Sequence, residues 1–298
     1  YFDQTHWLLD KDVSLYCVSA WNDHGYWHTV GDPEQLYRVG FLPGLGWMLK
    51  RSLFFEEILP VWPASWKTFD WDVFLRLGSN RKGRDCIIPD VPRTYHFGYV
   101  GNHVGANMQF AYFYDHALNT VPDVRLRNVE DMVYPRYEKQ LQNLIKNGIP
   151  LAEETRNSTS CKTLIPSDTK NQTYLVYLRV YGPDDMEAFA KIAACLNLWD
   201  LDTRGDHQGI WRFWYNGNHI MVIGVPYSPL SAFAISAHDD AAVFSGSRTA
   251  AQRELGRWPP GVARARLTGH QRRMRLAAAA LHLSADQLRE VIAGGPGH

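Results

Sequence analysis

The chain has 298 residues and a mass of 34.1 kDa, with 45 % hydrophobic and 21 % charged residues, enough for about two domains with real cores and unlike a disordered chain. Thirty-one basic residues balance thirty-one acidic ones and the pI is near 7.3, so global charge gives no argument for nucleic acid or an anionic membrane as a partner. No stretch reaches the roughly 18–20 apolar residues of a membrane span.

In chain order, residues 13–21 (VSLYCVSAW) predict a strand closed by the Asn22-Asp23 turn signal. The segment 43–47 (PGLGW) is a Gly/Pro turn. It leads into a stretch with apolar Met48, Leu49, Leu53, Phe54 and Ile58, the spacing of an amphipathic helix that Pro60 should end. A second helix is predicted around Trp71–Leu77, then a basic turn (RKGRD, 81–85) and a strand (CIIPDV, 86–91). Three glycines and two asparagines make 98–109 a loop. Further on, 127–148 predicts an amphipathic helix stopped by Gly148, and 173–180 (TYLVYLRV) a strand. Acidic residues open a helix over 184–199, and Asn216-Gly217 is the two-residue turn of a hairpin over 209–226.

Composition shifts near residue 236. Residues 236–298 contain nine Arg, no Lys and two of the 39 aromatic residues, with a capped helix predicted over 284–295. The division this suggests is 1–125, 126–235 and a divergent Arg/Ala-rich tail, 236–298. The tail could pass for a helix–turn–helix, but a solvated basic face is the better account.

Four cysteines without CxxC spacing argue against a zinc site and fit two disulfides or four buried thiols. Two N-glycosylation triplets, Asn157-Ser158-Thr159 and Asn171-Gln172-Thr173, flank Cys161 and favour an oxidising lumen. The twelve histidines are scattered and are read as surface or packing residues. The His238-Asp239-Asp240 run lies in the tail.

The most informative residue is Asp72. A carboxylate set among aromatics is how an enzyme builds a general base. The competing account is an acid stabilised by the dipole of the helix it starts. On either account it shares a helix face with Arg76 at i,i+4.

Five segments, SLYCVSAWNDHGY, DPEQLYRVGFLPGLGWMLKRSL, WDVFLR, RKGRDCIIPDVPRTYHFG and WDLDTRGDHQGIWR, together resemble the eukaryotic β-1,2-N-acetylglucosaminyltransferases. The stretch 93–130 and the last segment are most similar to the branch acting on O-mannosyl glycoproteins. The resemblance runs in order over about 5–230. It implies an α/β fold: the C-terminal, acceptor-side half of a GT-A glycosyltransferase domain, a small α/β region and a helical tail. It further implies an inverting transfer of GlcNAc from UDP-GlcNAc to the 2-hydroxyl of an α-mannose on a mannosylated glycoprotein, with N-glycan mannose as the alternative acceptor. A binding module descended from the same family is the non-catalytic alternative.

By position in the family pattern, Asp72 matches the base and Trp71 a wall of the site. Arg76 shares the face of the base. Leu45 and Gly46 match the turn that approaches the donor sugar. Asn102 and His103 lie in a loop, 99–109, that closes over the donor, and Arg204 matches an acceptor-side arginine. Cys17 would pair with Cys86, and Cys161 with Cys195. The resemblance implies a Mn²⁺ ion whose acidic ligands lie upstream of Tyr1, so that no metal ligand is assigned within the chain and the chain alone is expected to be inactive. It also implies a Golgi-lumen, type II membrane parent with its anchor in that upstream region. Pro92 stands where relatives carry Ser, and the tail after about 235 matches nothing in the family.

Overall fold

A computed structural model describes residues 1–63, 70–98, 109–151, 164–237 and 243–244. The expected loop 99–109 up to residue 108, with Asn102 and His103, lies outside the described residues. So do Cys161, the His238-Asp239-Asp240 run and the predicted tail helix. The chain divides into two compact units, Tyr1–Tyr95 with Ala117–Gly246, and His96–His116 with Ser247–His298.

The larger unit is mixed α/β, built on two sheets. Two short N-terminal helices, α1 (Phe2–Thr5) and α2 (Leu8–Lys11), precede strand β1 (Leu15–Ser19). Strands β2 (Leu36–Val39), β3 (Trp47–Met48) and β4 (Asp85–Pro89) complete a sheet of order β2-β4-β1-β3. β1 and β4 are parallel, with an irregular register between Leu15 and Cys17. That irregularity puts Tyr16 and Cys17 on one face, with Leu15 and Val18 on the other.

Cys17 and Cys86 are register partners across β1 and β4 and form a disulfide, as expected, with Cα atoms 4.5 Å apart. Closing a loop of 69 residues removes about 4 kcal/mol of chain entropy from the unfolded state. The second expected bridge involves Cys161, outside the described residues.

The amphipathic stretch after β3 departs from a single helix. It is one turn of α-helix, α3 (Arg51–Leu53), a π-helical turn over Phe54–Ile58 and a 3₁₀ turn over Leu59–Val61. Pro60 does not end the helical path but sits in the first turn of the 3₁₀ segment, where its missing N–H costs nothing. Leu53 and Ile58 still face the core, packing with Phe74 and Leu75 against Tyr16, Tyr37, Val39 and Ile88 of the first sheet.

Helix α4 (Trp71–Arg76) begins after Asp70, whose extended dihedrals give it the N-cap place, and a short α5 (Gly78–Arg81) follows. Helix α6 (Tyr134–Asn147) starts later than its pattern suggested. Residues Val129–Met132 form a 3₁₀ turn, and Pro135 in the first turn of α6 fixes the entry.

The second sheet has order β10-β6-β9-β8-β7, with β5 also paired to β6. Its strands are β5 (Ile149–Pro150), β6 (Thr173–Val180), β7 (Asp206–His207), β8 (Ile210–Tyr215), β9 (Asn218–Pro226) and β10 (Val243–Phe244). β6 and the β8–β9 hairpin fall where the sequence put them. Asn216 and Gly217 take φ of 53° and 75°, the left-handed pair a tight hairpin turn requires.

Strand alternation explains how both faces are covered. Leu175, Tyr177, Met221 and Ile223 point toward Tyr137, Leu141 and Ile145 of α6, and join the core that also holds Leu15, Val18 and Ile87 of the first sheet. Val176, Leu178, Ile220 and Val222 point the other way, onto Phe189, Ile192 and Leu196 of helix α7 (Glu187–Leu196). Asn197, with φ of 55°, stops α7. Helix α8 (Ser231–Ala237) is the last helix among the described residues.

Charged groups cross the same core. The Arg38 guanidinium on β2 is 1 % exposed and bonds Asp12 at 2.7 Å and Asp85 at 3.0 Å. His207 on β7 lies 3.1 Å from Asp85, close enough for charge pairing though off hydrogen-bond alignment, and 3.1 Å from Glu138 on α6. Tyr137 Oη accepts from the Arg38 N–H and from Arg212 Nη1.

In the second unit, Gln109–Phe113 is a π-helical turn. His96 bonds Gln109 through Nδ1 at 2.6 Å, Gln109 Nε2 donates to the His96 carbonyl, and the His96 ring stacks on Phe113 at 4.3 Å.

Candidate active site

The residues singled out in the sequence and described in the structure converge in the first unit. Asp72 lies in the first turn of α4, with its side chain 31 % exposed. Its Oδ2 takes a 2.6 Å hydrogen bond from Arg76 Nη1, one helical turn on, so the i,i+4 spacing does produce the contact. Oδ1 has no hydrogen-bond donor among the described residues. One carboxylate oxygen is therefore pinned and the other is open. Asp72 also occupies the place of a helix-start acid; the two accounts of it are compatible.

Arg76 is held from three sides. Nε donates to the Leu42 carbonyl at 3.2 Å, Nη1 holds Asp72, and the guanidinium lies 4.8 Å from the Phe41 ring centroid. Burial lowers the arginine pKa, and the nearby Arg204 cation lowers it further, against the pull of Asp72.

The PGLGW turn packs on this pair. A Cβ at Gly44 would come within 3.0 Å of Arg76 and 3.9 Å of Trp71. Gly46 has φ of +74°, and a Cβ there would meet Thr94 Cγ2 at 2.6 Å. The Leu45 carbonyl accepts from the Thr94 hydroxyl at 3.0 Å, and the Gly46 carbonyl accepts from the Ala20 N–H at 2.7 Å. The turn is thus fixed to both β1 and the segment after β4. Trp71 stacks on Trp47 at 5.7 Å and 29°, and keeps 46 % of its surface exposed. A flat, half-exposed indole suits the apolar face of a pyranose.

Arg204 reaches the same place from the loop before β7. Its guanidinium lies 4.8 Å from the Phe41 centroid and 4.2 Å from the Trp199 ring. It bonds Asp202 through Nε at 2.8 Å and Nη2 at 2.7 Å, and lies 3.5 Å from Asp23. Burial alone would lower its pKa, but the Asp23 and Asp202 carboxylates more than offset this and raise it. Buried His24 donates through Nε2 to the Arg204 carbonyl at 2.9 Å. A Cβ at Gly205 would strike the same ring at 2.3 Å, so only glycine fits there.

Phe41, Asp23, Asp202 and Trp199 were not singled out in the sequence. All four sit inside the quoted family segments, with Phe41 two residues before the PGLGW turn. The signal was therefore present but could not be assigned without the packing.

The carboxylates here are poorly suited to a divalent cation. Asp72 is bound to Arg76, while Asp23 and Asp202 share Arg204, and no three metal-capable side chains cluster among the described residues.

The fold and this site define a mixed α/β protein with a half-open carboxylate, a stacked pair of indoles and two fixed arginines. The chain is 39 % identical over 152 residues to an alpha-1,3-mannosyl-glycoprotein 2-beta-N-acetylglucosaminyltransferase of Arabidopsis thaliana, an alignment covering 51 % of this chain and 33 % of that protein. It thus spans about a third of the length of the curated relative it matches. The profile of the GNT-I family matches residues 1–236, and the chain belongs to that family.

Proposed function

We propose that this protein transfers GlcNAc from UDP-GlcNAc to the 2-hydroxyl of an α-linked mannose, with inversion, and that Asp72 is the general base. The observation that carries this reading is the half-pinned carboxylate, with Oδ2 fixed by Arg76 and Oδ1 open. In one in-line displacement the mannose oxygen bonds the anomeric carbon of GlcNAc as the bond to UDP breaks. The mannose hydroxyl proton passes to Asp72 Oδ1. Arg76 holds the carboxylate in place, the indole of Trp71 lies against the sugar, and the Leu45–Gly46 turn approaches the donor with its backbone. Arg204 contacts acceptor hydroxyls.

The site residues do not form a metal cage, and no step is assigned to a metal here. We propose that the manganese ion such chemistry employs, which would offset charge on the leaving UDP, is held by residues outside this chain, in the nucleotide-binding half of a GT-A domain. The isolated chain is then inactive. The disulfide Cys17–Cys86 supports a lumenal location, which we take to be the Golgi.

For the acceptor, the segments 93–130 and 199–212 support an O-mannosyl glycoprotein. A second reading, mannose of an N-glycan, is supported by the name of the Arabidopsis relative. Full-length protein given UDP-GlcNAc and either an α-mannosyl-threonine peptide or an α-1,3-mannosyl N-glycan tests both. A β-1,2-linked GlcNAc on the peptide supports the first and on the N-glycan the second; no product on either overturns the transferase reading.

A further inference from the structure

The Asn171-Gln172-Thr173 triplet opens strand β6, and its asparagine side chain is exposed and engaged by no hydrogen bond among the described residues. Its backbone, by contrast, is committed. The Asn171 N–H donates to the Gly217 carbonyl at 2.8 Å, the Gln172 N–H donates to Asn218 Oδ1 at 3.1 Å, and the Gln172 carbonyl accepts from His219 at 2.8 Å. Asn171 has φ of 58°, a left-handed conformation that asparagine tolerates better than most residues.

Asn171, Gln172 and Thr173 also form one wall of a groove of about 590 Å³ whose other wall is the outer face of α6: Arg136, Lys139, Gln140 and Asn143, with Leu144 the apolar member. The volume is in the range of small-ligand sites. Its polar, mostly uncharged lining offers donors and acceptors to sugar hydroxyls, and it adjoins the open amide.

We infer that Asn171 is an N-glycosylation site whose first sugars lie in this groove against α6. The modification forms a bond from the Asn171 amide nitrogen to the anomeric carbon of an oligosaccharide and breaks that carbon's bond to a lipid pyrophosphate. The amide proton leaves to the separate enzyme that catalyses the transfer. The inference requires passage through an oxidising lumen, which the Cys17–Cys86 bridge supports, and does not depend on the transferase reading.

The full-length protein, secreted from a eukaryotic host, is digested with and without an amidase that converts glycosylated Asn to Asp, and peptides are mapped by mass. Conversion at Asn171 in wild type and Thr173→Ser, and none in Thr173→Val, is expected. Thr173→Val keeps the β-branched shape of a strand residue, so it tests the hydroxyl and not the fold. An unconverted Asn171 in folded protein overturns the site, whether or not Asn157 is converted. For the groove, acetylation of Lys139 is compared before and after glycan removal. Labelling several-fold faster on the deglycosylated protein supports the seated sugars, and an unchanged rate overturns that part.

Discussion

Arg76 and Arg204, far apart in sequence, place their guanidinium carbons at the same distance, 4.8 Å, from the centroid of one ring, Phe41. Two cations are held near each other because each brings its own anions: Asp72 for Arg76, and Asp23 with Asp202 for Arg204. The arrangement joins the helix bearing the proposed base to the loop before β7 through a single aromatic side chain.

Arg204→Lys should therefore be far from conservative. Lysine keeps the charge but loses the two-pronged contact to Asp202 and the planar stack on Phe41 and Trp199. A fall in kcat/KM of about tenfold or more is expected, in line with losing about 1.5–3 kcal/mol of charge-assisted contact. Steady-state kinetics with varied acceptor check this, and the loss should appear mainly as a raised KM for acceptor.

At Gly46 the constraint is steric. Gly46→Ala must either hold an alanine at φ +74° or push Thr94 away, breaking the Leu45–Thr94 hydrogen bond. The strain costs on the order of 1–3 kcal/mol. Thermal unfolding should show a lowered Tm, and the donor KM should rise because the turn no longer holds its position. Gly78→Ala, where a Cβ meets nothing within 4 Å, is the matched control and should leave both quantities nearly unchanged.

The buried ion cluster sets a pH dependence. Burial opposes protonation of His207, but Asp85 and Glu138 prevail and raise its pKa to about 9. Its contribution to stability is thus fully present below the unfolded value near 6.5 and is lost as pH rises through about 9. The loss is on the order of 3 kcal/mol between pH 6.5 and 9.5. Asp85 shifts downward: burial raises it, but His207 and Arg38 outweigh that. Its contribution is lost only in acid, below the ordinary carboxylate range. Urea unfolding at pH 6.5 and 9.5 should show this alkaline loss in wild type. His207→Gln should be less stable at pH 6.5 and nearly flat across the interval.

How much of this was legible in the sequence follows from how local each feature is. Strand β6 and the Asn216-Gly217 hairpin are written in alternation and turn chemistry within a few residues, and they appear where predicted. The Asp72–Arg76 pair needs only helix spacing. The helix expected after Met48 breaks into α, π and 3₁₀ turns, and through them Leu53 and Ile58 both stay buried against the first sheet, a change of helical type that apolar spacing does not encode. Arg38, Asp12, Asp85 and His207 were invisible as core residues, since charged side chains are ordinarily exposed and only their mutual pairing across β2, β4 and β7 makes burial tolerable. Phe41 was missed for the same reason, because its role depends on two arginines delivered by distant segments.

The central claim is that Asp72 takes the proton, and the most direct measurement is the rate of GlcNAc transfer by full-length protein carrying Asp72→Asn. Asparagine keeps the shape and can still accept from Arg76, so the fold and thermal stability should hold. It cannot serve as a base, so kcat should fall by about 10²–10⁴-fold with substrate KM values little changed. A folded Asp72→Asn protein that turns over within a few-fold of wild type would contradict the account.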